Sequence, residues 1–476
     1  MMKKTVIIGG GITGLTTAFY LQELSHGEAE ITLIESTPRW GGKITSAHER
    51  GFIIEGGPDS FMIQKGAVLE LCHMLGLDDQ LLSPNSTKRT TYVWNRGELH
   101  PMPEGMILMA PTMILPFLRS RLISWPGKLR MGMEMLIPPN GKDDESLASF
   151  VRRRLGVEAL EKIAAPLMAG IYAADPETLS LQSTFPLFPE MENKYGSLLR
   201  GMIMQKRVQK RRHEKRAPTT MTLRGGLQQL VDAIRTRLNS QNILLNCRAL
   251  AVTVTGDRYE IALNDGSRIH ADEVVFATPA YVTAGLVQEI DPLLASELRE
   301  IRYVSTATVS LGFRLSDVER PLDGFGFVVP HIEKRRITAC SWSSTKFNHR
   351  APRDHVLIRV FLGGARAESV AEKDEAVLVQ LARQELHATM GIIAKPVLAK
   401  AYRWHKANPQ YEVGHQSRVA RIDQIIASHP GLHLAGAAYH GSGIPDCIYS
   451  GVKAAKAITN NAEWNRNEIY DTLPAC

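Results

Sequence analysis

Cysteine is scarce. The 476-residue chain has five, Cys72, Cys247, Cys340, Cys447 and Cys476, scattered and odd in number. No two form a Cys-x-x-Cys pair, so neither a zinc site nor a disulfide framework is indicated, and a reducing cytosol fits best. Aromatic residues are few, at 7%. They do not interleave with basic ones and no helix-turn-helix pattern appears, which argues against nucleic acid as a partner. Charge of one sign is also in short supply: 56 Lys and Arg against 49 Asp and Glu leave +7. That balance suits an acidic small molecule or an anionic membrane surface without demanding a polyanion. Nowhere does an apolar run reach the roughly twenty residues of a membrane span. The nearest approach, 106–139, is rich in Met, Leu and Ile but carries Pro111, Pro116 and Pro126 with Arg119, Arg121, Lys128 and Arg130. Helices of a satellite unit are the first expectation for it, and an exposed apolar and basic face touching a membrane is the second. Lys3-Lys4 before an apolar run mimics a signal peptide, but three glycines interrupt it and no cleavage region follows, so it reads as a first strand.

What is present starts at that strand. Residues 5–8 are a β-branched apolar run, as in a buried parallel strand. Gly9-x-Gly11-x-x-Gly14 follows, and then Leu15, Ala18, Leu21 and Leu24 recur at helical spacing. Glycine between strand and helix lets the backbone approach a pyrophosphate, whose charge the helix N-terminal amides then meet. A second strand over 31–34 ends at Glu35, where a carboxylate would accept hydrogen bonds from a ribose. Strand, turn, helix, strand and acid together predict a dinucleotide site in an α/β chain long enough for two or three domains.

The next residues, Glu35-Ser36-Thr37-Pro38-Arg39-Trp40-Gly41-Gly42-Lys43 and Gly56-Gly57-Pro58-Asp59-Ser60, resemble the extended signature of the FAD-containing amine oxidase superfamily. The resemblance implies dissociable, noncovalent FAD, although Cys447 neighbours the expected flavin position. It also implies a Rossmann-type domain assembled from three segments, 1–85, 220–290 and 405–470. A sheet-based substrate domain (86–105 and 291–404) and a helical satellite, membrane-facing domain (106–219) complete the expectation. The cofactor-binding residues implied are Gly9, Gly10, Gly11, Ile12, Thr13, Gly14, Glu35, Ser36, Arg39, Gly42, Lys43, Gly57, Pro58, Asp59, Ser60, Ala249, Trp404, Gly436, Gly443, Ile444, Pro445 and Ile448. Helices are expected over 64–77, 145–155, 158–169, 195–215, 227–238 and 374–390, and a hairpin around Asn95-Arg96-Gly97. The basic cluster from Lys206 to Arg216 reads first as a solvated helix end, and second as a docking patch for an anion.

Gly57-Pro58-Asp59-Ser60-Phe61, Leu99-His100-Pro101-Met102-Pro103, Trp404 with Pro409-Gln410-Tyr411, and Gly443-Ile444-Pro445-Asp446-Cys447-Ile448 together resemble the porphyrinogen oxidase family. The match is to its water-soluble Gram-positive branch. That resemblance implies oxidation of coproporphyrinogen III to coproporphyrin III in haem biosynthesis, with dioxygen as acceptor and hydrogen peroxide released. Protoporphyrinogen IX is the alternative substrate; an amine oxidase or polyene desaturase is a more distant one. Flavin N5 would take the hydride, and no side chain stands out as a catalytic base. Lys65 is the first choice for a propionate contact, Arg96 a further one, and Asp59 a partner for pyrrole N–H groups or a shaper of its own turn. A ferrochelatase or another haem-pathway protein is the expected partner, on pathway logic alone. The expected location is the cytoplasm, with peripheral contact to the inner face of the cell membrane.

Overall fold

The computed structural model describes residues 3–63, 66–107, 109–111, 113–141, 143–211, 219–239 and 242–460. Strands β1 (Lys4–Ile8), β2 (Glu30–Ile34), β3 (Ile243–Leu244), β4 (Glu273–Phe276) and β5 (Leu432–Leu434) form one all-parallel sheet in the order β3-β2-β1-β4-β5. Ile7 stands opposite Leu33 on one side and Val275 on the other. Its strands are near-continuous Val, Ile, Leu and Phe because both faces are covered. Helix α1 (Ile12–Leu24) covers one face together with the C-terminal helix Ile444–Thr459. The two helices cross closely at Gly451, where a Cβ would lie 2.6 Å from the Thr13 carbonyl oxygen. On the other face lies a three-stranded antiparallel sheet, Ala249–Thr255, Arg258–Leu263 and Arg268–Ala271.

A second, seven-stranded sheet runs Leu398–Pro409, Tyr303–Arg314, His355–Gly363, Ile337–Ser341, Gly324–Val328, Thr90–Asn95, Glu98–Pro101. The early hairpin thus joins strands more than two hundred residues away, through a parallel pairing of Thr90–Asn95 with Gly324–Val328. Helix Glu375–Met390 packs on this sheet through Leu378, Leu381, Ala382 and Leu386.

Between the two sheets in sequence comes a helical cluster around Phe150, Ile163, Met168 and Phe188. At its centre Arg154 is fully buried, paired with Glu134 at 3.1 Å and with Glu192. Glu134 also accepts from Ser197 Oγ at 2.6 Å and the Leu198 N–H at 2.8 Å, which caps the helix Leu198–Arg211.

The helices differ from expectation in three places. The run expected from residue 195 starts only after Gly196, left-handed at φ 69°, as Leu198–Arg211, and a separate helix, Leu187–Tyr195, precedes it. The helix expected to stop near Gly170 continues to Tyr172 after a wide π-turn over Leu160–Ala164. Pro166 just beyond supplies no N–H to the preceding turn, a common cause of such a widening. The helix expected over 64–77 is described as Ala67–Met74. Among the described residues, no helix is long and apolar enough to cross a membrane.

Candidate active site

All five parallel strands end toward the same edge, and the β1–α1 loop lies there. Gly9 to Gly14 turn the chain so tightly that a Cβ on Gly14 would sit 1.9 Å from the Gly9 carbonyl oxygen. Only hydrogen fits. The first turn of α1 is buried at Ile12, Thr13 and Gly14, and no side chain caps it. Buried amides without an internal acceptor call for an external one. A Cβ on Gly11 would meet nothing closer than 4.0 Å, so the loop is open where a ligand would come. Glu35, at the end of β2, is buried and accepts the Gly10 N–H at 2.8 Å and the Thr37 N–H at 2.8 Å. A carboxylate has about four acceptor positions, so Glu35 keeps capacity for ribose hydroxyls. These features fit the pyrophosphate and ribose of a dinucleotide.

Other expected residues gather round this loop. Arg39 folds the 39–44 turn by donating to the carbonyls of Ile44 at 3.2 Å and of Gly42. Ser36 Oγ reaches Glu35 at 3.4 Å. The chain leaving β3 returns beside Glu35, where the Cys247 N–H donates to the Glu35 carbonyl at 2.9 Å, two residues before Ala249. Gly436, just past β5, would direct a Cβ only at Thr13 Oγ1, 3.8 Å away. Gly443 caps the C-terminal helix, Ile444, Pro445 and Ile448 are buried, and the Asp446 carboxylate accepts the Gly443 N–H at 3.3 Å.

Gly56 to Ser60 link strand Phe52–Glu55, paired with Ser46–Glu49, to strand Phe61–Met62, paired with Thr220–Leu223, and run along the seven-stranded sheet. The Gly56 carbonyl accepts from three strands at once: Trp404 Nε1 at 2.9 Å, Thr308 Oγ1 at 3.0 Å and Arg359 Nη2 at 3.0 Å. Gly57 is pressed against the Lys43 carbonyl, where a Cβ would lie 1.8 Å away. Trp404 stacks with Tyr402 at 6.4 Å and 7° between planes. Asp59 is half-buried, accepts from Ser60 Oγ at 2.8 Å, and pairs with Lys346 Nζ at 3.0 and 3.1 Å. Burial would raise its pKa, but the Lys346 ammonium and Arg359 guanidinium outweigh burial and hold the carboxyl well below the usual range. Arg359 itself is buried, lies over the Phe361 ring at 4.9 Å, and has an unpartnered Nε.

Lys43 crosses to the C-terminal segment and donates to the Ala407 carbonyl. Its pKa is lowered, chiefly by burial, with Cys447 near enough to oppose the shift. Next to them Tyr411 donates to the Ala437 carbonyl at 2.6 Å and stacks on His415 at 4.4 Å.

The structure therefore brings Gly9–Gly14, Glu35, Lys43, Gly57–Ser60, Trp404 and the Gly443 helix start into one region. Arg96 occupies an exposed left-handed turn of the Thr90–Pro101 hairpin, and its N–H donates to Glu333 at 3.1 Å. Lys65 lies outside the described residues, as do the side chains of the basic cluster after Met204. Sequence reasoning missed Lys346, Arg359 and Thr308. A buried arginine in an apolar strand, Leu357-Ile358-Arg359-Val360, was the one available signal.

A family model described as flavin containing amine oxidoreductase matches residues 12–459, and the chain belongs to that family, which implies a flavin cofactor. Its similarity runs further to coproporphyrinogen III oxidase of Bacillus subtilis (strain 168), 39% identical over 95% of this chain and 97% of that one. The coproporphyrinogen III oxidase of Staphylococcus aureus is 34% identical, with 96% and 99% covered. A crystal structure from Exiguobacterium sp. 255-15, provisionally named a protoporphyrinogen oxidase, is similar at TM-score 0.86 and 32% identity, covering 97% of this chain and 99% of its own.

Proposed function

We propose that this chain oxidises coproporphyrinogen III to coproporphyrin III with dioxygen, releasing hydrogen peroxide, as a step of haem biosynthesis. The observation that carries the reading is near-full-length identity of 39% to a coproporphyrinogen III oxidase, against 28% to a plant protoporphyrinogen oxidase. The site is consistent with it.

Held by these residues, FAD would supply the hydride acceptor for three two-electron oxidations, with dioxygen as the final electron acceptor. The chain's own residues do the rest. The Gly9–Gly14 loop and the amides of Ile12, Thr13 and Gly14 hold the pyrophosphate, with Arg39 and Gly42 fixing the loop behind. Glu35 and Ser36 take the ribose, and Ala249 lies along the adenine. Lys43, Gly57, Pro58, Ser60, Trp404, Gly436, Gly443, Ile444, Pro445 and Ile448 line the flavin end and keep water from it. Asp59 offers an ionised carboxylate to the pyrrole N–H groups of the macrocycle, opposing the positive charge that develops as hydride leaves a meso carbon. Lys65 is the proposed contact for a rim propionate, and Arg96, on its exposed hairpin turn, would serve only a propionate that reaches beyond the site. Binding of FAD is noncovalent, so denaturation releases free flavin into the filtrate.

The three-segment FAD domain, the sheet-based substrate domain and the helical unit divide the work at the boundaries expected above. The helical unit's exposed Ile114, Leu115, Trp125, Leu129 and Leu136, flanked by exposed Arg119 and Arg121, suit peripheral contact with the inner face of the cell membrane. A ferrochelatase or another haem-pathway protein receives the product.

The test is aerobic oxidation of both porphyrinogens by the FAD-loaded protein, read by porphyrin fluorescence and peroxide release. A larger kcat/KM for coproporphyrinogen III supports the proposal. Preference for protoporphyrinogen IX moves the substrate, and no turnover of either discards the porphyrinogen reading.

A further inference from the structure

Lys346 stands 287 residues from Asp59 in sequence, on the short helix Ser343–Lys346 of the second sheet. Its ammonium sits between both Asp59 oxygens, 3.0 and 3.1 Å away, and within 3.3 Å of Ser60 Oγ. A half-buried lysine spends its charge here on the Asp59 carboxylate and its Ser60 neighbour. The Phe347 ring lies under the ammonium at 5.1 Å. We propose that Lys346 is a positioning residue for the oxidation: it orients Asp59 and keeps it an anion, so that the macrocycle meets a fixed negative charge. The proposal rests on the reading that Asp59 faces the porphyrinogen.

The other charged groups around Asp59 sharpen what Lys346 adds. Arg359 reaches Asp59 electrostatically but is committed to the Gly56 and Gly57 carbonyls. Arg350 is also within electrostatic reach, but pairs with Glu55 at 3.5 Å and donates to Thr222, Leu223 and Arg224. Glu55 in turn is occupied by Ser46 Oγ at 2.6 Å and the Leu227 N–H at 2.9 Å. Among the described residues, Lys346 is thus the cation that touches Asp59 directly. Remove it, and burial acts on the carboxyl with only remote compensation, so the acid form becomes accessible at higher pH.

The experiment compares wild type with Lys346→Met, Lys346→Arg, Asp59→Asn and the Asp59→Asn/Lys346→Met double variant. In Lys346→Met, kcat/KM falls about ten-fold or more at the acid end, with the acid limb shifted to higher pH than in wild type. Lys346→Arg restores the wild-type limb. The double variant loses no more than Asp59→Asn alone, because the two residues act as one unit. FAD content and Tm stay at wild-type values; their loss in Lys346→Met would make the lysine structural and overturn the proposal. A wild-type acid limb in Lys346→Met overturns it too. The substrate reading fails separately, if wild type turns over neither porphyrinogen or if Asp59→Asn behaves as wild type. In either case infrared difference spectra still decide about Lys346. A protonated-carboxyl band must appear on acidification of Lys346→Met and be missing from the double variant; without that band the inference is wrong.

Discussion

At Gly14 and Gly57 the chain has no room for a methyl group, since a Cβ would lie 1.9 Å and 1.8 Å from a backbone carbonyl oxygen. A carbonyl in a strand or loop cannot swing aside as a flexible side chain can. Gly14→Ala is therefore expected to cost about 1–3 kcal/mol of stability and to lower FAD content, read by thermal unfolding and flavin absorbance. His415 makes a prediction in pH. It is buried, its Nε2 lies 3.0 Å from the Tyr439 carbonyl, and burial pushes its pKa down to about 4. The unfolded chain takes up this proton near pH 6.5, so between there and pH 4 the unfolded state binds more protons than the folded one. Stability is then intact above pH 6.5 and falls with pH by up to about 3 kcal/mol from this residue. Urea midpoints at pH 7.5 and pH 5 should show that fall, and His415→Gln should flatten the difference. Gly14 was legible because its role is local. Lys346 was not, because its meaning comes from a carboxylate 287 residues away.

Secondary-structure elements were readable where periodicity and turn chemistry agreed. The β1–α1 unit, the Asn95-Arg96-Gly97 hairpin and the helix ending at Met390 appear where the pattern puts them. The helical stretch after Met106 was less readable, since its breaks depend on tertiary partners. Leu187–Tyr195 and Leu198–Arg211 part at Gly196, whose carbonyl accepts from the buried Arg154 at 3.2 Å. That arginine ties the elements together. Arg154→Met would leave Glu134 buried without its cation and Glu192 with Arg153 alone, at 2.7 Å, and should cost about 3–5 kcal/mol by denaturant unfolding. If the loss is below about 1 kcal/mol, the carboxylates have been neutralised by protonation or reached by water.

For the whole molecule, the unusual surface is the one the helical unit leaves open. Ile114, Trp125, Leu129 and Leu136 are 69–78% exposed within one short stretch of chain, more apolar area than isolated surface residues present. If this face rests on an anionic bilayer, the Ile114→Glu/Leu129→Glu/Leu136→Glu variant should bind phosphatidylglycerol vesicles about ten-fold less or weaker, without loss of Tm. Equal sedimentation of variant and wild type with vesicles would remove the membrane from the account.

The sequence by itself determined the β1–α1–β2 unit proposed to cradle the nucleotide, because a glycine turn, a strand before it, a helix after it and an acid at the next strand are local backbone facts. It also determined the family, through motifs whose residues are neighbours in the chain. Only the tertiary structure decided which charges share the site. Asp59, Lys346, Arg359 and Trp404 come from different strands and loops, and the electrostatics of each depends on burial and on the others' distance. Neither quantity exists until the two sheets have closed on the Gly56–Ser60 segment.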